Sequence, residues 1–323
     1  MSLEAPPLAR VAEREAWSER PVQTEYRPPH PLDLRRTVLA QRHGAGDPTF
    51  CVTPSVIWHA SRTPEGIATL ALRETSRGVI RAAAWGPGSA WALEQMPSLC
   101  GRDDDPSSFD AEQHPLIASA HHDNPGLRIG RTDLVFDALA SAIIEQKVTG
   151  MQAFGAWRHL VRAFGTRAPG PTPRPLFATP SIEEWRHIPS WAWHRAGLEP
   201  PQSKTIVRAA RHGRALVQSI HNAVDGEAVD RVLVSQPGIG PWTSAETRIR
   251  ALGDADAVSV GDYHLAHQVG FALTGSRVDD DGMLHLLARW SGQRQRVIRL
   301  IGASGVIEPR KGPRLHPEDH RAR

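Results

Sequence analysis

Hydrophobic and polar residues follow two different patterns along this chain. Between about residues 31 and 112, short runs rich in β-branched and aromatic residues alternate with turn signals such as Thr63-Pro64-Glu65-Gly66. Runs of this kind are typical of strands, and they predict strands at residues 49–52, 56–59, 67–73 and 79–84. Short helices are predicted on either side, at residues 32–41 and 89–96.

From about residue 113 onward, apolar residues recur at helical spacing. Helices are predicted at residues 136–164, 181–188, 203–217, 229–235, 243–252, 263–273 and 281–301. The predicted fold class is therefore α+β, with a mainly helical domain and a small N-terminal domain that carries an antiparallel sheet. The expected organisation is a disordered arm at residues 1–30, the sheet domain at 31–112, the helical domain at 113–305 and a charged tail at 306–323.

Composition argues against a membrane-spanning, a secreted and a disulfide-rich protein. No stretch of the 323 residues approaches the roughly 20 apolar residues that cross a bilayer, and the first 20 residues carry four Glu, unlike a secretory signal. The two cysteines, Cys51 and Cys100, are too few for a disulfide framework or a four-Cys cluster. Only three of the 38 basic residues are Lys. Arginine suits phosphate contacts, although a GC-rich genome produces the same bias.

The segment Gln236-Pro237-Gly238-Ile239-Gly240-Pro241-Trp242-Thr243 lies between two predicted helices. Two glycines separated by one apolar residue allow a tight hairpin whose backbone can approach a ligand closely. Its N–H groups then lie at the start of the next helix, where the helix dipole favours an anion. Such a hairpin can bind a nucleic-acid phosphate without reading sequence, although an ordinary corner between helices has the same composition.

A second segment follows about 20 residues later. Val258-Ser259-Val260-Gly261-Asp262-Tyr263-His264-Leu265 is a short β-prone run that ends at Gly261, after which a helix is predicted. Asp262 can simply cap that helix. A capping carboxylate that accepts backbone N–H bonds is also held in its charged form. A fixed anion of this kind can stabilise a developing cation.

Together, the Pro237-Gly238-Ile239-Gly240 hairpin and the downstream Val260-Gly261-Asp262 segment resemble the helix-hairpin-helix DNA glycosylase superfamily. The residues 142–149, with Gln146 and Lys147, and the residues 198–207 are similar to further helices of that family. The small sheet domain resembles the one in the 3-methyladenine DNA glycosylase II branch. The resemblance covers roughly residues 30–301.

The resemblance implies a monofunctional glycosylase that excises alkylated purines from duplex DNA by base flipping in base-excision repair. It implies that Asp262 is catalytic and that Trp242 and Tyr263 face the flipped base. Bifunctional members carry a Lys where this chain has Trp242, so no lyase activity is expected. The implied DNA-binding residues are Gln146, Lys147, Gly238, Ile239, Gly240 and Thr243.

The expected partner is double-stranded DNA with a damaged base, bound by a cytoplasmic, nucleoid-associated monomer that does not interact with membranes. No cofactor is expected, apart from a monovalent cation that the family implies at the hairpin carbonyls near Gln236 and Ile239. No metal site is expected either, because His121-His122-Asp123 and the pair His264 and His267 lack convincing ligand spacing.

Several positions depart from the family pattern. Lys147 stands where an apolar or amide side chain usually fills the gap left by the flipped base, and Glu145 replaces a small residue. Glu246 and Ile301 stand where pocket aromatics are expected. Two alternatives therefore remain open: a non-catalytic protein that binds DNA lesions or structures, and a glycosylase for an oxidised or deaminated base.

Overall fold

The N-terminal unit is an antiparallel sheet flanked by short helices. The computed structural model describes residues 20–309. The strands are β1 (Val22–Tyr26), β2 (Phe50–Val52), β3 (Ile57–Thr63), β4 (Gly66–Glu74) and β5 (Ile80–Trp85), in the spatial order β1-β5-β4-β3-β2. Helix α1 (Leu34–Val38), a 3-10 turn (Leu39–Gln41) and helix α2 (Ser89–Leu99) accompany it.

The central strand β4 is buried on both faces because its side chains alternate between two partners. Leu70 and Leu72 pack with α1 and α2 in one core cluster. Ile67 belongs to a second cluster with Leu176, which comes from the helical unit. The sheet is therefore covered by its own helices on one face and docked on the helical unit with the other.

Strand β1 corrects part of the predicted disordered arm at residues 1–30. Val22 pairs with Ala84 and Tyr26 with Ile80 at the edge of the sheet. Val22, Thr24 and Tyr26 alternate with Gln23 and Glu25, a strand pattern that the prediction of a disordered arm overlooked. Four of the five side chains are exposed, so the strand covers little core. Backbone pairing holds the strand instead. Residues 1–19 of the predicted arm and residues 310–323 of the predicted tail lie outside the described residues.

The second unit is helical apart from one short hairpin, β6 (Thr166–Arg167) and β7 (Phe177–Ala178). Its helices are α3 (Pro115–Asp123), α4 (Val135–Ile144), α5 (Gly150–Phe164), α6 (Ile182–His187), α7 (Ser190–Arg195), α8 (Pro200–Arg211), α9 (Gly213–His221), α10 (Gly226–Val234), α11 (Pro241–Leu252), α12 (Leu265–Thr274), α13 (Asp280–Leu287), a 3-10 turn (Ala288–Trp290) and α14 (Arg294–Ala303). The predicted α+β class is confirmed.

Three predicted helices are each divided in two. Residues 136–164 form α4 and α5, separated at residues 145–149, where Lys147 has a φ of 54°. The predicted helix at 203–217 breaks at His212 between α8 and α9, and that at 281–301 is interrupted around Gly292. Apolar periodicity continues across each break, so these boundaries are invisible to a periodicity argument.

The helices pack around two separate hydrophobic clusters. Helix α4 is buried at nine of its ten residues and lies at the centre of the larger cluster, with residues from α5 to α11 around it. Helix α3 packs with α12, α13 and α14 in a separate cluster. The connection between α11 and α12, residues 253–264, therefore runs from one cluster to the other, and Asp262 lies in this connection.

Candidate active site

The predicted hairpin connects α10 to α11. Its backbone turns at Gly238, which has a φ of 91°, a value that L side chains rarely adopt. A Cβ at Gly238 would lie 2.3 Å from the Thr205 hydroxyl oxygen. Ile239 is 5% exposed and lies in the main core cluster, so it anchors the turn. Gly240 precedes the first turn of α11, where the helix dipole favours an anion.

Gln146 connects the end of α4 to this hairpin. Its Nε2 donates to the Gly238 carbonyl at 3.0 Å and to the Thr243 hydroxyl at 2.8 Å. The Gln146 carbonyl accepts a hydrogen bond from the Gln202 side chain at 2.8 Å. The side-chain amide of this predicted DNA-binding residue thus makes contacts inside the protein, as does the hydroxyl of Thr243. The neighbouring Lys147 is exposed at the tip of the turn between α4 and α5.

Asp262 lies beside the start of the hairpin's second helix. Its Oδ1 accepts hydrogen bonds from the backbone N–H groups of His264 and Leu265 at 2.8 and 2.9 Å, at the start of α12. Its Oδ2 accepts a hydrogen bond from Trp242 Nε1 at 3.3 Å. Trp242 is the second residue after Gly240, so the structure brings the glycine hairpin and the acid together. The two N–H donors fix the orientation of the carboxylate as a helix cap.

The turn that carries Asp262 is attached to two helices. The Asp262 N–H donates to the Ser259 carbonyl at 3.2 Å. From α11, Glu246 Oε1 accepts a hydrogen bond from the Ser259 hydroxyl at 2.6 Å. From α13, Asp280 Oδ2 accepts the Gly261 N–H at 3.0 Å. These attachments restrict where the Asp262 carboxylate can point.

A chain of charged side chains continues from Glu246 toward the sheet unit. Arg250 Nε lies 3.6 Å from Glu246 Oε2, and Arg250 Nη2 lies 4.0 Å from Glu145 Oε2. His43 Nδ1 lies 3.0 Å from Glu145 Oε1. Burial raises the pKa of Glu145, but the hydrogen bond from His43 and the charge of Arg250 outweigh it and leave that pKa below its usual value. Glu145, which stands where the resemblance implies a small residue, thus has a partner on each side.

The remaining predicted pocket residues differ in their surroundings. Tyr263 is 75% exposed, with its ring edge-on to His264 at 4.8 Å between centroids. Ile301 is 1% exposed in the core between α3 and the last three helices. Trp242 is half-buried beside Asp262. In the free protein, Trp242 is therefore the aromatic side chain in contact with the acid.

Sequence reasoning missed the residues that hold the site together. Gln202, Ser259 and Asp280 each bond to a predicted site residue or to its turn. Gln202 and Ser259 lie in segments that the sequence singled out, but no role was predicted for any of the three. Their partners are 13 to 56 residues away in sequence. Only the three-dimensional structure pairs them.

No set of three His, Cys, Asp or Glu side chains in residues 20–309 could hold a metal ion. His267 Nδ1 instead lies 2.9 Å from the Val278 carbonyl. The Gln236 carbonyl accepts the Ile239 N–H at 3.0 Å and retains a second lone pair that a monovalent cation could share. No helix in this described part of the chain is both long and apolar enough to cross a membrane.

No protein-family model matches the chain, and no curated protein matches its sequence. Solved structures do match it. The 3-methyladenine DNA glycosylase of Archaeoglobus fulgidus aligns with a TM-score of 0.73 at 15% identity, over 86% of this chain and 97% of that one. This chain has the DNA glycosylase fold. An apo 8-oxoguanine glycosylase/lyase of Clostridium acetobutylicum aligns with a TM-score of 0.69 at 11% identity, over 90% of this chain and 98% of that one.

The same glycosylase/lyase bound to double-stranded DNA with cytosine opposite 8-oxoguanine aligns with a TM-score of 0.68 at 11% identity. That alignment covers 89% of this chain and 95% of the other. The resemblance expected from the two motifs is thus confirmed for the glycosylase fold. Enzymes for methylated and for oxidised bases match almost equally well, so the fold alone does not select a base.

Proposed function

We propose that this protein is a monofunctional DNA glycosylase that hydrolyses the N-glycosidic bond of alkylated purines, of the 3-methyladenine type, in duplex DNA. The observation that carries this proposal is the hydrogen bond between Trp242 and Asp262, which joins the glycine hairpin to the acid. In this proposal, the hairpin N–H groups bind a backbone phosphate. The Asp262 carboxylate then lies beside a nucleotide adjacent to that phosphate.

The proposed reaction begins when the damaged base leaves the stack, at a cost of a few kcal/mol that is smallest for a weakened pair. The glycosidic bond then breaks through a sugar cation of oxocarbenium character. Asp262 stabilises this cation and orients the attacking water. A charge pair at about 4 Å and an effective dielectric constant of about 20 gives roughly 4 kcal/mol of gross attraction, equivalent to about three powers of ten in rate.

The charges around Asp262 favour a cationic base. Glu246 lies one helical turn beyond Trp242 on the same face of α11, and Glu145 lies further along the chain of charges. Arg250 lies near both glutamates, and Arg299 is a second cation close to Arg250. The negative charge beside Trp242 therefore comes from Asp262 and Glu246. An alkylated purine carries a positive charge, which these two carboxylates and the face of Trp242 would attract. A charged base also leaves readily, so no strong general acid is required.

The absence of lyase activity is part of the proposal. Schiff-base formation requires an amine near the sugar, and Trp242 occupies the position where bifunctional relatives have Lys. The lysines within residues 20–309 are Lys147 and Lys204. Neither follows the hairpin. We expect borohydride to trap no covalent complex between the protein and a lesion duplex, and a trapped complex would refute this part of the proposal.

We further propose that the protein acts as a monomer on nucleoid DNA in the cytoplasm and without a cofactor. One rival is a glycosylase for oxidised bases, favoured by the close structural match to 8-oxoguanine enzymes. The other is a non-catalytic lesion binder, favoured by the burial of Ile301 in the core and by Lys147 at the wedge position.

A panel of duplexes separates these functions. Each duplex carries one defined lesion: a methylated purine, 8-oxoguanine or a deaminated base, with an undamaged duplex as control. We expect abasic sites in the methylated duplex, revealed as strand breaks only after alkali. Release of 8-oxoguanine alone would favour the oxidised-base enzyme, and breaks without alkali would indicate a lyase. Tight binding with no base released from any duplex would favour the non-catalytic protein.

A further inference from the structure

Helix α8 carries a stripe of three exposed cations, which we call the α8 stripe: Lys204, Arg208 and Arg211. Their spacing of four and three residues places them on one face of the helix, opposite buried residues such as Ile206 and Ala209. Within residues 20–309, no carboxylate forms an ion pair with any of the three. The stripe is therefore a row of positive charge without a counter-ion among the described residues.

The stripe begins next to the glycine hairpin. Arg208 Nη1 donates to the Pro237 carbonyl at 3.2 Å. Thr205, on the adjoining face of α8, is the residue closest to Gly238. Gln202, one turn earlier, donates to the Gln146 carbonyl. Helix α8 is thus fixed against the hairpin and against the turn that carries Lys147, and its charges continue the surface that these elements form.

The dimensions of the stripe match a stretch of DNA backbone. From Lys204 to Arg211 the helix rises about 10 Å, at about 1.5 Å per residue. One strand of B-DNA presents a phosphate about every 3.4 Å along the helix axis, so the stripe spans about three phosphates. The cations line a groove of about 500 Å³ with apolar side chains that include Val207 and Leu198. Their aliphatic stems can lie on this apolar surface while their charged groups face the solvent.

We infer that the α8 stripe binds the phosphodiester backbone next to the nucleotides that the hairpin binds. This contact would extend the duplex interface by about three phosphates. This inference rests on the proposed function because it takes duplex DNA as the ligand. It concerns binding alone and applies to undamaged DNA as well, since phosphate contacts carry no sequence or lesion information.

The test measures affinity for an undamaged 20-base-pair duplex between about 50 mM and 1 M salt. The variant Lys204→Ala/Arg211→Ala removes two cations that make no hydrogen bond inside the described chain. Each phosphate contact releases about 0.9 counterions. We therefore expect the slope of log affinity against log salt to fall by about 1.8, and the affinity at 0.1 M salt to fall by roughly eight-fold per contact. The affinities of variant and parent should converge near 1 M salt.

The matched control is Arg73→Ala/Arg77→Ala, which removes two exposed cations from the sheet unit. If this control lowers the slope as much as the stripe variant does, net charge rather than the stripe is responsible, and the inference is overturned. An unchanged slope in the stripe variant overturns it as well. Because no base release is measured, failure of the stripe is distinguishable from failure of the proposed glycosylase, which the lesion panel decides.

Discussion

The two glycines of the hairpin have opposite surroundings, and this difference gives a sharp test of the hairpin as a phosphate site. At Gly238 the φ is 91°, and a Cβ would collide with the Thr205 hydroxyl at 2.3 Å. At Gly240 the φ is −103°, and apart from its chain neighbours no residue within 20–309 has an atom within 4 Å of a Cβ. A methyl group at Gly238 would thus meet the protein, whereas one at Gly240 would enter the space where we place the phosphate.

The expected magnitudes separate folding from binding. Gly238→Ala adds left-handed strain of about 1–2 kcal/mol to a steric clash, so we expect it to lower the free energy of unfolding by at least about 2 kcal/mol. Gly240→Ala should change that free energy by less than about 0.5 kcal/mol. It should block charge-assisted N–H contacts worth about 1.5–3 kcal/mol each, which corresponds to a loss of affinity of roughly 10- to 100-fold.

The assay combines urea unfolding with fluorescence anisotropy on damaged and undamaged duplexes. Gly240→Ala should weaken both duplexes by the same factor while its unfolding curve overlays that of the parent. Gly275→Ala is the control. Gly275 also has open space around its Cβ, but it ends α12 and does not belong to the hairpin. Its φ of 76° means that an alanine there should lower the free energy of unfolding and leave DNA affinity unchanged. If Gly240→Ala binds DNA as tightly as the parent, the hairpin backbone does not contact the phosphate and our interpretation of it is refuted.

Two further predictions concern the surroundings of the site. Ser259→Ala removes the 2.6 Å hydrogen bond to Glu246, so we expect single-turnover base release to fall about tenfold, for a loss of roughly 1.4 kcal/mol, at unchanged DNA affinity; an equal loss of affinity would contradict a role confined to positioning Asp262. Burial raises the pKa of Asp137 from 3.8 to about 6 and lowers that of His59 from 6.5 to about 4. The stabilisation from Asp137 is therefore lost as pH rises toward 6, and that from His59 is lost as pH falls toward 4, each amounting to up to about 3 kcal/mol. Asp137→Asn should thus make the urea midpoint rise more steeply between pH 4 and 6.5 than it does in the parent, and parallel curves would count against these shifts.

The sequence predicted the α+β class and the two short motifs that the structure brings together through the Trp242–Asp262 hydrogen bond. Gly238, Gly240 and Asp262 belong to two short motifs whose residue types have local physical reasons: left-handed backbone, close approach and helix capping. The contact between Trp242 and Asp262 comes from the structure alone, and the role of Trp242 beside a flipped base stays a prediction. Short motifs with a local physical cause of this kind can be predicted from a single sequence.

Features that depend on distant pairing were missed. Strand β1 is short and mostly exposed, and it is held by backbone pairing with its partner β5. The hydrogen bond from the Gln146 amide to the Gly238 carbonyl joins residues 92 positions apart, so no local pattern predicts it, and DNA binding by Gln146 stays a prediction. The break at Lys147 divides a run of helical periodicity that apolar spacing alone would continue. Each of these depends on a tertiary contact, which overrides local propensity.

We propose that Asp262 performs the chemistry and contributes little to DNA binding. Asp262→Asn keeps an oxygen for the N–H groups of His264 and Leu265 while removing the negative charge. The control is Asp281→Asn, which removes an exposed carboxylate from α13. On a methylated duplex in single turnover, we expect Asp262→Asn to bind within about twofold of the parent and to release base on the order of 100-fold more slowly or worse, with the control unchanged. Base release by Asp262→Asn at the parent rate would contradict the account.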